Sequence, residues 1–133
     1  MQKYKVGITF GAYELFHIGH LNLINQAKKL CDKLIVCISD DEYIRIKKGH
    51  SSSNPLKYRI EIISSLRQVD KVDIQSLAYG KKKLIRKYSP DVIFVGDDWT
   101  PKTFTGANLG VKVVYLDRTK NISSTLLRQK YFK

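Results

Sequence analysis

Two of the chain's three histidines, His17 and His20, stand three positions apart in "FGAYELFHIGHLN", residues 10–22, with Gly19 between them. Imidazoles at that spacing around a helix start converge on one side of its first turn. The helix start itself offers unpaired N–H groups and the positive end of a dipole, a ready anion site. Two imidazoles there could donate hydrogen bonds to a phosphate as negative charge shifts during group transfer. Gly11 and Gly19 would let the backbone turn tightly and approach such a ligand closely. The competing reading makes His17 a packing residue and His20 a surface one. Zinc is not indicated: cysteines are not nearby, and no third histidine or acid completes a ligand set.

A second polar cluster, "RTKNISST", occupies residues 118–125. Arg118 suits bidentate contact with phosphate, against a surface salt bridge as the plainer alternative. Ser123, Ser124 and Thr125 can cap a following helix and open a second helix N-terminus toward phosphates. Capping alone would also explain those hydroxyls. Asp98 and Trp99, in "VGDDW", are consistent with the end of a strand. By spacing alone Arg59 and Arg67, two turns apart on one helix-like stretch, are surface residues, and Lys81 opens "KKKLIRK", a cluster that reads as a solvated face.

The elements that must position these groups follow from periodicity. Apolar, β-branched runs recur at 4–9, 34–38, 72–76, 92–95 and 111–115. Helix-like stretches lie at 19–31, 56–67, 80–88 and 123–131. Strands alternating with helices predict an α/β fold, with βαβ units, a parallel sheet and right-handed crossovers. "VIFVGDDW" is a typical strand of that kind, continuously apolar because both faces are covered, then abruptly polar. Ligands in open α/β sheets sit beyond the carboxyl ends of the strands, and the three polar clusters all follow strands. Residues 46–55, "IKKGHSSSNP", read as a mobile loop; Lys47 and Lys48 in it keep a lid or phosphate-clamp role open beside that of a solvated connector.

The totals narrow the classes. At 133 residues the chain suits one domain with a proper core. No signal peptide and no membrane-spanning run is visible, which predicts a cytoplasmic protein without integral membrane contact. Cys31 and Cys37 are too few for a disulfide scaffold and read as buried thiols. The net charge of +12 attracts either nucleic acid or small phosphorylated substrates. No aromatic-interleaved nucleic-acid motif accompanies it, so small phosphorylated substrates are expected as partners, with a basic nucleic-acid-binding domain as the distant alternative.

"GAYELFHIGH" resembles the H-x-G-H signature of the nucleotidyltransferase superfamily that includes the cytidylyltransferases. "RTKNISST" resembles their R-T-x-G-I-S-T-T element, and "VGDDW" and "RQVDKV" agree as well. The two signatures in this order and at this separation are specific, and the likeness spans nearly the whole chain. It is greatest to the bacterial glycerol-3-phosphate cytidylyltransferases of teichoic acid synthesis. There are departures. Glu14 stands for the family's Asp, Ala12 for the Thr of the glycerol-3-phosphate enzymes, Asn121 for a Gly, and the K-x-K pair becomes Lys48-Gly49-His50 or shifts to Lys47. "ISSTLLR" also resembles an adenylyltransferase element.

The resemblance implies one Rossmann-like domain over residues 1–133, with a five-stranded parallel sheet and helices on both faces. It implies transfer of CMP from CTP to a phosphorylated small alcohol, sn-glycerol 3-phosphate first, by in-line attack with release of pyrophosphate. Phosphocholine or phosphoethanolamine, and an adenylyl donor, are the alternatives. His17, His20, Lys48 and Arg118 would carry the catalysis. Thr9, Phe10, Gly11, Gly19, Arg59, Arg67, Thr119, Ile122, Ser123, Ser124 and Thr125 would complete the CTP site. Lys47, Lys48, Lys81, Asp98 and Trp99 would hold the acceptor. Mg2+ is expected on the triphosphate with no protein metal site, and a homodimer is implied.

Overall fold

The computed structural model describes residues 3–96, 110–119 and 122–131. Five strands, β1 (Tyr4–Gly11), β2 (Cys31–Ser39), β3 (Lys71–Gln75), β4 (Val92–Gly96) and β5 (Lys112–Leu116), form one sheet in the order β3-β2-β1-β4-β5. Each neighbouring pair is parallel. Parallel neighbours need crossovers, which here carry α1 (Ile18–Lys29), α2 (Asp41–Lys48), α3 (Leu56–Ser64) and α4 (Lys81–Tyr88); α5 (Ser124–Tyr131) follows the last strand. The expected apolar runs became the five strands.

β2 shows why its sequence is apolar without alternation. Leu34, Val36 and Ile38 enter one core with Ile24 and Ala27 of α1 and Ile63 of α3. Ile35 and Cys37 enter the other with Leu84 and Ile85 of α4. Successive side chains point to opposite faces, and helices cover both, which is the expected Rossmann-like arrangement. Cys31 and Cys37 are buried, free and on opposite faces, as the sequence predicts.

The chain lays down β1, β2 and β3 outward, then returns to place β4 on the other flank of β1. That reversal opens a crevice beyond the carboxyl ends of β1 and β4, where open α/β sheets bind ligands.

Two expectations are corrected. Residues 46–48 belong to α2 and not to a loop, so the connector is 49–55. Only Ile44 of α2 is buried, too little for a helical apolar period to show. Its caps were in the sequence nonetheless: the Asp40 carboxylate accepts from Tyr43 N at 2.7 Å, and Gly49 closes the helix at φ 78°. The helix carrying Arg59 stops at Ser64, so Arg67 is not on it. Ser65 Oγ turns back to donate to the carbonyl of Ile62 at 2.7 Å, a serine bond that competes with helix continuation.

Candidate active site

His17 is the N-cap of α1, in extended backbone at φ −140°. Its Nδ1 accepts from the N–H of Gly19 at 3.0 Å, while His20 Nδ1 accepts from the N–H of His17 at 3.2 Å. This is a capping box built from two imidazoles. The box sets chemistry as well as the helix start. Each Nδ1 is an acceptor, so each neutral ring carries its proton on Nε2. The rings stack with centroids 3.8 Å apart, and Phe16 and Tyr13 flank His20. A Cβ at Gly19 would stand 2.8 Å from His17 Cε1, so only glycine lets the ring lie over the first turn.

Burial holds His20 down at about 3, with the charges of His17 and Lys48 pushing the same way. Burial lowers His17 too. Both are therefore neutral N–H donors at neutral pH. His17 Nε2 is buried with no hydrogen-bond partner among the described residues. A buried donor without a partner costs about 1–3 kcal/mol, which a ligand acceptor would recover.

The unfolded chain's His20 titrates near its ordinary value of 6.5, whereas in the folded state it stays neutral down to about 3. The unfolded state therefore binds the proton first, and stability, complete above the ordinary value, falls as pH drops toward the folded one. The slope expected from this group is at most about 1.4 kcal/mol per pH unit. Urea titrations from pH 7 to 4 check it: a His20→Asn variant should lose less stability on acidification than the wild type, and equal losses would contradict the assignment.

The His pair lines a cleft of about 640 Å³, with Gly19 and Leu23 from α1, Gly96 from β4, Asp117–Thr119 after β5, and Ile122–Leu126 and Gln129 at α5. α1 steers the far wall: Asn22 Nδ2 donates to Thr119 Oγ1 at 2.8 Å, and Gln26 Nε2 to the carbonyl of Asp117 at 3.1 Å. Arg118 lies exposed on the cleft wall. Ser123 Oγ accepts from Leu126 N at 3.1 Å and caps α5. The chain's residues 8–130 match the family described as cytidylyltransferase-like. It belongs to that family. The chain is therefore a nucleotidyltransferase enzyme.

The family likeness is close to full length. Glycerol-3-phosphate cytidylyltransferase of Bacillus subtilis (strain 168) is 37% identical over 92% of this chain and 94% of its own. FAD synthase of Thermococcus onnurineus (strain NA1) is 38% identical over 66% of this chain and 59% of its own. Among solved structures, the lipopolysaccharide core biosynthesis protein of Thermoplasma volcanium GSS1 shares the fold with a TM-score of 0.73 at 24% identity, over 90% of this chain and 99% of its own.

What holds the His-bearing turn of this nucleotidyltransferase is a residue noted in the sequence only as a departure from the family pattern. Glu14 is 2% exposed. Its Oε1 accepts from Ser53 N at 2.8 Å, its Oε2 from Arg128 Nη1 at 3.3 Å, and its carbonyl from Ser124 Oγ at 2.6 Å. Glu14 thus joins the turn to the 49–55 connector and to α5. The turn needs such support, because Tyr13 and Leu15 on either side sit at φ 54° and 48°, left-handed backbone that non-glycine residues rarely adopt. Leu15 N also donates to Asn54 Oδ1 at 3.2 Å. The expected mobile loop is anchored along 53–54. The only sequence signal for this role was an acid inside an apolar, aromatic stretch.

Arg59 is corrected from a surface residue to a fully buried one. Its Nε donates to the carbonyl of Asn54 at 2.9 Å, its Nη1 to those of Ala12 at 2.9 Å and Ser39 at 2.5 Å, and its Nη2 to the Asp41 carboxylate. Those donors clamp the ends of β1 and β2 to the connector and are not presented to a phosphate. Arg59→Leu would leave an acid and three carbonyls without their partner. A loss of about 3–5 kcal/mol is expected from denaturant titration, carried by the three carbonyls that lose their donor and not by the half-exposed Asp41; a loss under about 1 kcal/mol would show the clamp to be dispensable.

The remaining candidates separate. Arg67 is exposed. Thr9 Oγ1 is buried and donates to the carbonyl of Phe94 at 2.9 Å, joining β1 to β4. A Cβ on Gly11 would meet the Tyr13 ring at 2.8 Å. Ser124 is tied to Glu14, and Thr125 Oγ1 accepts from Arg128 Nη2 at 3.4 Å. Desolvation pushes the Lys48 ammonium below its usual range, Glu14 opposes this, and Arg128 and Arg59 add to it. The residue is exposed at the C-terminal end of α2, so water damps that push. Its charge is nevertheless felt at His20. Phe10 lies under Lys81, 5.6 Å from ammonium to ring centroid. Asp98 and Trp99 fall outside the described residues. No helix among the described residues is long and apolar enough to cross a membrane.

Proposed function

We propose that this enzyme transfers CMP from CTP to sn-glycerol 3-phosphate, giving CDP-glycerol and pyrophosphate. The observation that carries the chemistry is the reciprocal His17–His20 cap, which leaves two neutral Nε2–H donors at the cleft. An acceptor phosphate oxygen attacks the α-phosphorus in line, a new P–O bond forms, and the bond to the bridging oxygen breaks to release pyrophosphate. The attacking phosphate is already an anion, so no general base is required. The protein's part is alignment and charge stabilisation. His17 and His20 donate to the α-phosphate and the leaving group, and Lys48 and Arg118 neutralise the charge that accumulates there.

Among the described residues no group of three His, Cys, Asp or Glu could hold a metal. Mg2+ in this reading arrives on the triphosphate as part of the nucleotide substrate. The near full-length agreement with a glycerol-3-phosphate cytidylyltransferase supports the donor and acceptor named. We take residues 1–133 as one catalytic domain working in the cytoplasm as a homodimer, with Asp98 and Trp99 at the acceptor. A second reading, adenylyl transfer, is favoured by Ile122-Ser123-Ser124-Thr125 and by the likeness to an FAD synthase, since FAD contains adenine. Pyrophosphate release across CTP, ATP and a panel of phospho-alcohols tests the proposal.

A further inference from the structure

α4 turns a row of positive charge outward. Leu84 and Ile85 enter the core against the sheet. That leaves Lys82, Lys83, Arg86 and Lys87 exposed, at the i, i+3 and i+4 spacings of one helix face. Lys87 is paired with Asp73 at 2.9 Å. Lys82, Lys83 and Arg86 have no carboxylate within salt-bridge distance among the described residues.

The turn that leads into α4 presents apolar side chains beside that face. Leu77 is 43% exposed and Tyr79 39%, with Ala78 exposed between them. Their backbone is held in place: Ser76 N donates to the carbonyl of Tyr79 at 3.1 Å, and Tyr79 N donates to Ser76 Oγ at 2.9 Å. Lys83 Nζ donates to the carbonyl of Ala78 at 2.7 Å. The Tyr79 ring takes the ammoniums of Lys83 and Lys87, 5.8 and 6.0 Å from its centroid. These contacts tie the turn to the helix, so the Leu77-Ala78 tip and the basic face form one surface. A single exposed leucine needs no explanation. An apolar tip fixed beside a row of uncompensated cations does.

We infer that this surface docks peripherally on an anionic membrane, with the cations on lipid phosphates and the Leu77-Ala78 tip at the acyl boundary. The charges are complementary, and each Lys or Arg held near an anionic leaflet adds about fivefold to partition. The leucine gains by leaving water for the acyl boundary, and a tyrosine beside it suits the headgroup level. Nucleic acid fits less well. A polyanion offers nothing to the aliphatic tip, and the Tyr79 ring on which a base would stack is already taken by two ammoniums. A second copy of the chain fits less well still, because a twofold contact would set the basic face against itself. The docking does not depend on which nucleotide the enzyme transfers.

The test sediments the intact protein with vesicles of phosphatidylcholine containing phosphatidylglycerol, and with vesicles of phosphatidylcholine alone. The protein should bind the first at low salt, come off as salt rises, and not bind the second. In the double variant Lys82→Gln, Arg86→Gln, which leaves the contacts of the turn in place, partition should fall about 25-fold. Leu77→Ser, with every charge kept, should weaken it about tenfold. Both variants should unfold thermally as the wild type does, since the changed side chains are exposed. No binding to the anionic vesicles, equal binding to the neutral ones, or wild-type binding by either variant overturns the inference. So does tighter capture of single-stranded DNA than of anionic vesicles at the same salt, which would give the surface to nucleic acid.

Discussion

Replacing either His17 or His20 with alanine is expected to lower kcat by about a hundredfold or more, with a smaller change in KM for either substrate. The magnitude is that of removing one preorganised donor from a site where negative charge develops. The reason lies in the cap: with Nδ1 of each ring taken up by a backbone N–H, Nε2–H has one direction left to serve. A donor already neutral needs no proton loss before it acts, so kcat should not follow His20 protonation between pH 6 and 8, well above its folded value of about 3. His17→Ala also removes an N-cap, at about 1 kcal/mol. His17→Asn separates the two effects, because asparagine caps well but is too short to place a donor where Nε2 stands. It should retain stability and still lose turnover. Near-normal kcat in His17→Asn and His20→Ala would return both rings to the role of helix caps.

CTP with glycerol 3-phosphate should release pyrophosphate with a kcat/KM up to about 10⁴-fold above that for ATP with the same acceptor. Cytosine and adenine differ in size and in hydrogen-bonding edge, and a site whose polar groups match one base leaves them unpaired with the other. The cleft wall can hold such a match. Thr119 is fixed by Asn22, the carbonyl of Asp117 by Gln26, and Ile122 closes against the first turn of α1, within 3.4 Å of a Cβ placed on Gly19. Steady-state pyrophosphate assays with each nucleotide decide it. Comparable kcat/KM for ATP would move the donor to adenylyl; activity with CTP on phosphocholine alone would keep the chemistry and replace the acceptor.

Much of the fold was legible because its signals are local. A strand covered on both faces must be apolar throughout, so β1, β2 and β4 stand out in the chain without reference to anything else. His17-Ile18-Gly19-His20 was equally visible, since a capping box acts within one turn. α2 was missed because a helix with one buried residue leaves almost no period to read, although Asp40 and Gly49 marked both its ends.

The sequence by itself determined the order of the strands and of the helices other than α2, the place of the histidines at a helix start, and the membership of the family. Only the tertiary structure decided what each charged side chain does. Arg59 and Arg67 look alike in the sequence, yet one is sealed against four oxygen acceptors and the other faces water. Glu14 holds the strained turn through partners 39 to 114 positions away. The physical reason is range. Hydrophobic periodicity and capping are settled by residues within a turn or two, whereas a polar side chain's role depends on which donors and acceptors the packed chain brings within about 3 Å of it, and those come from anywhere in the sequence.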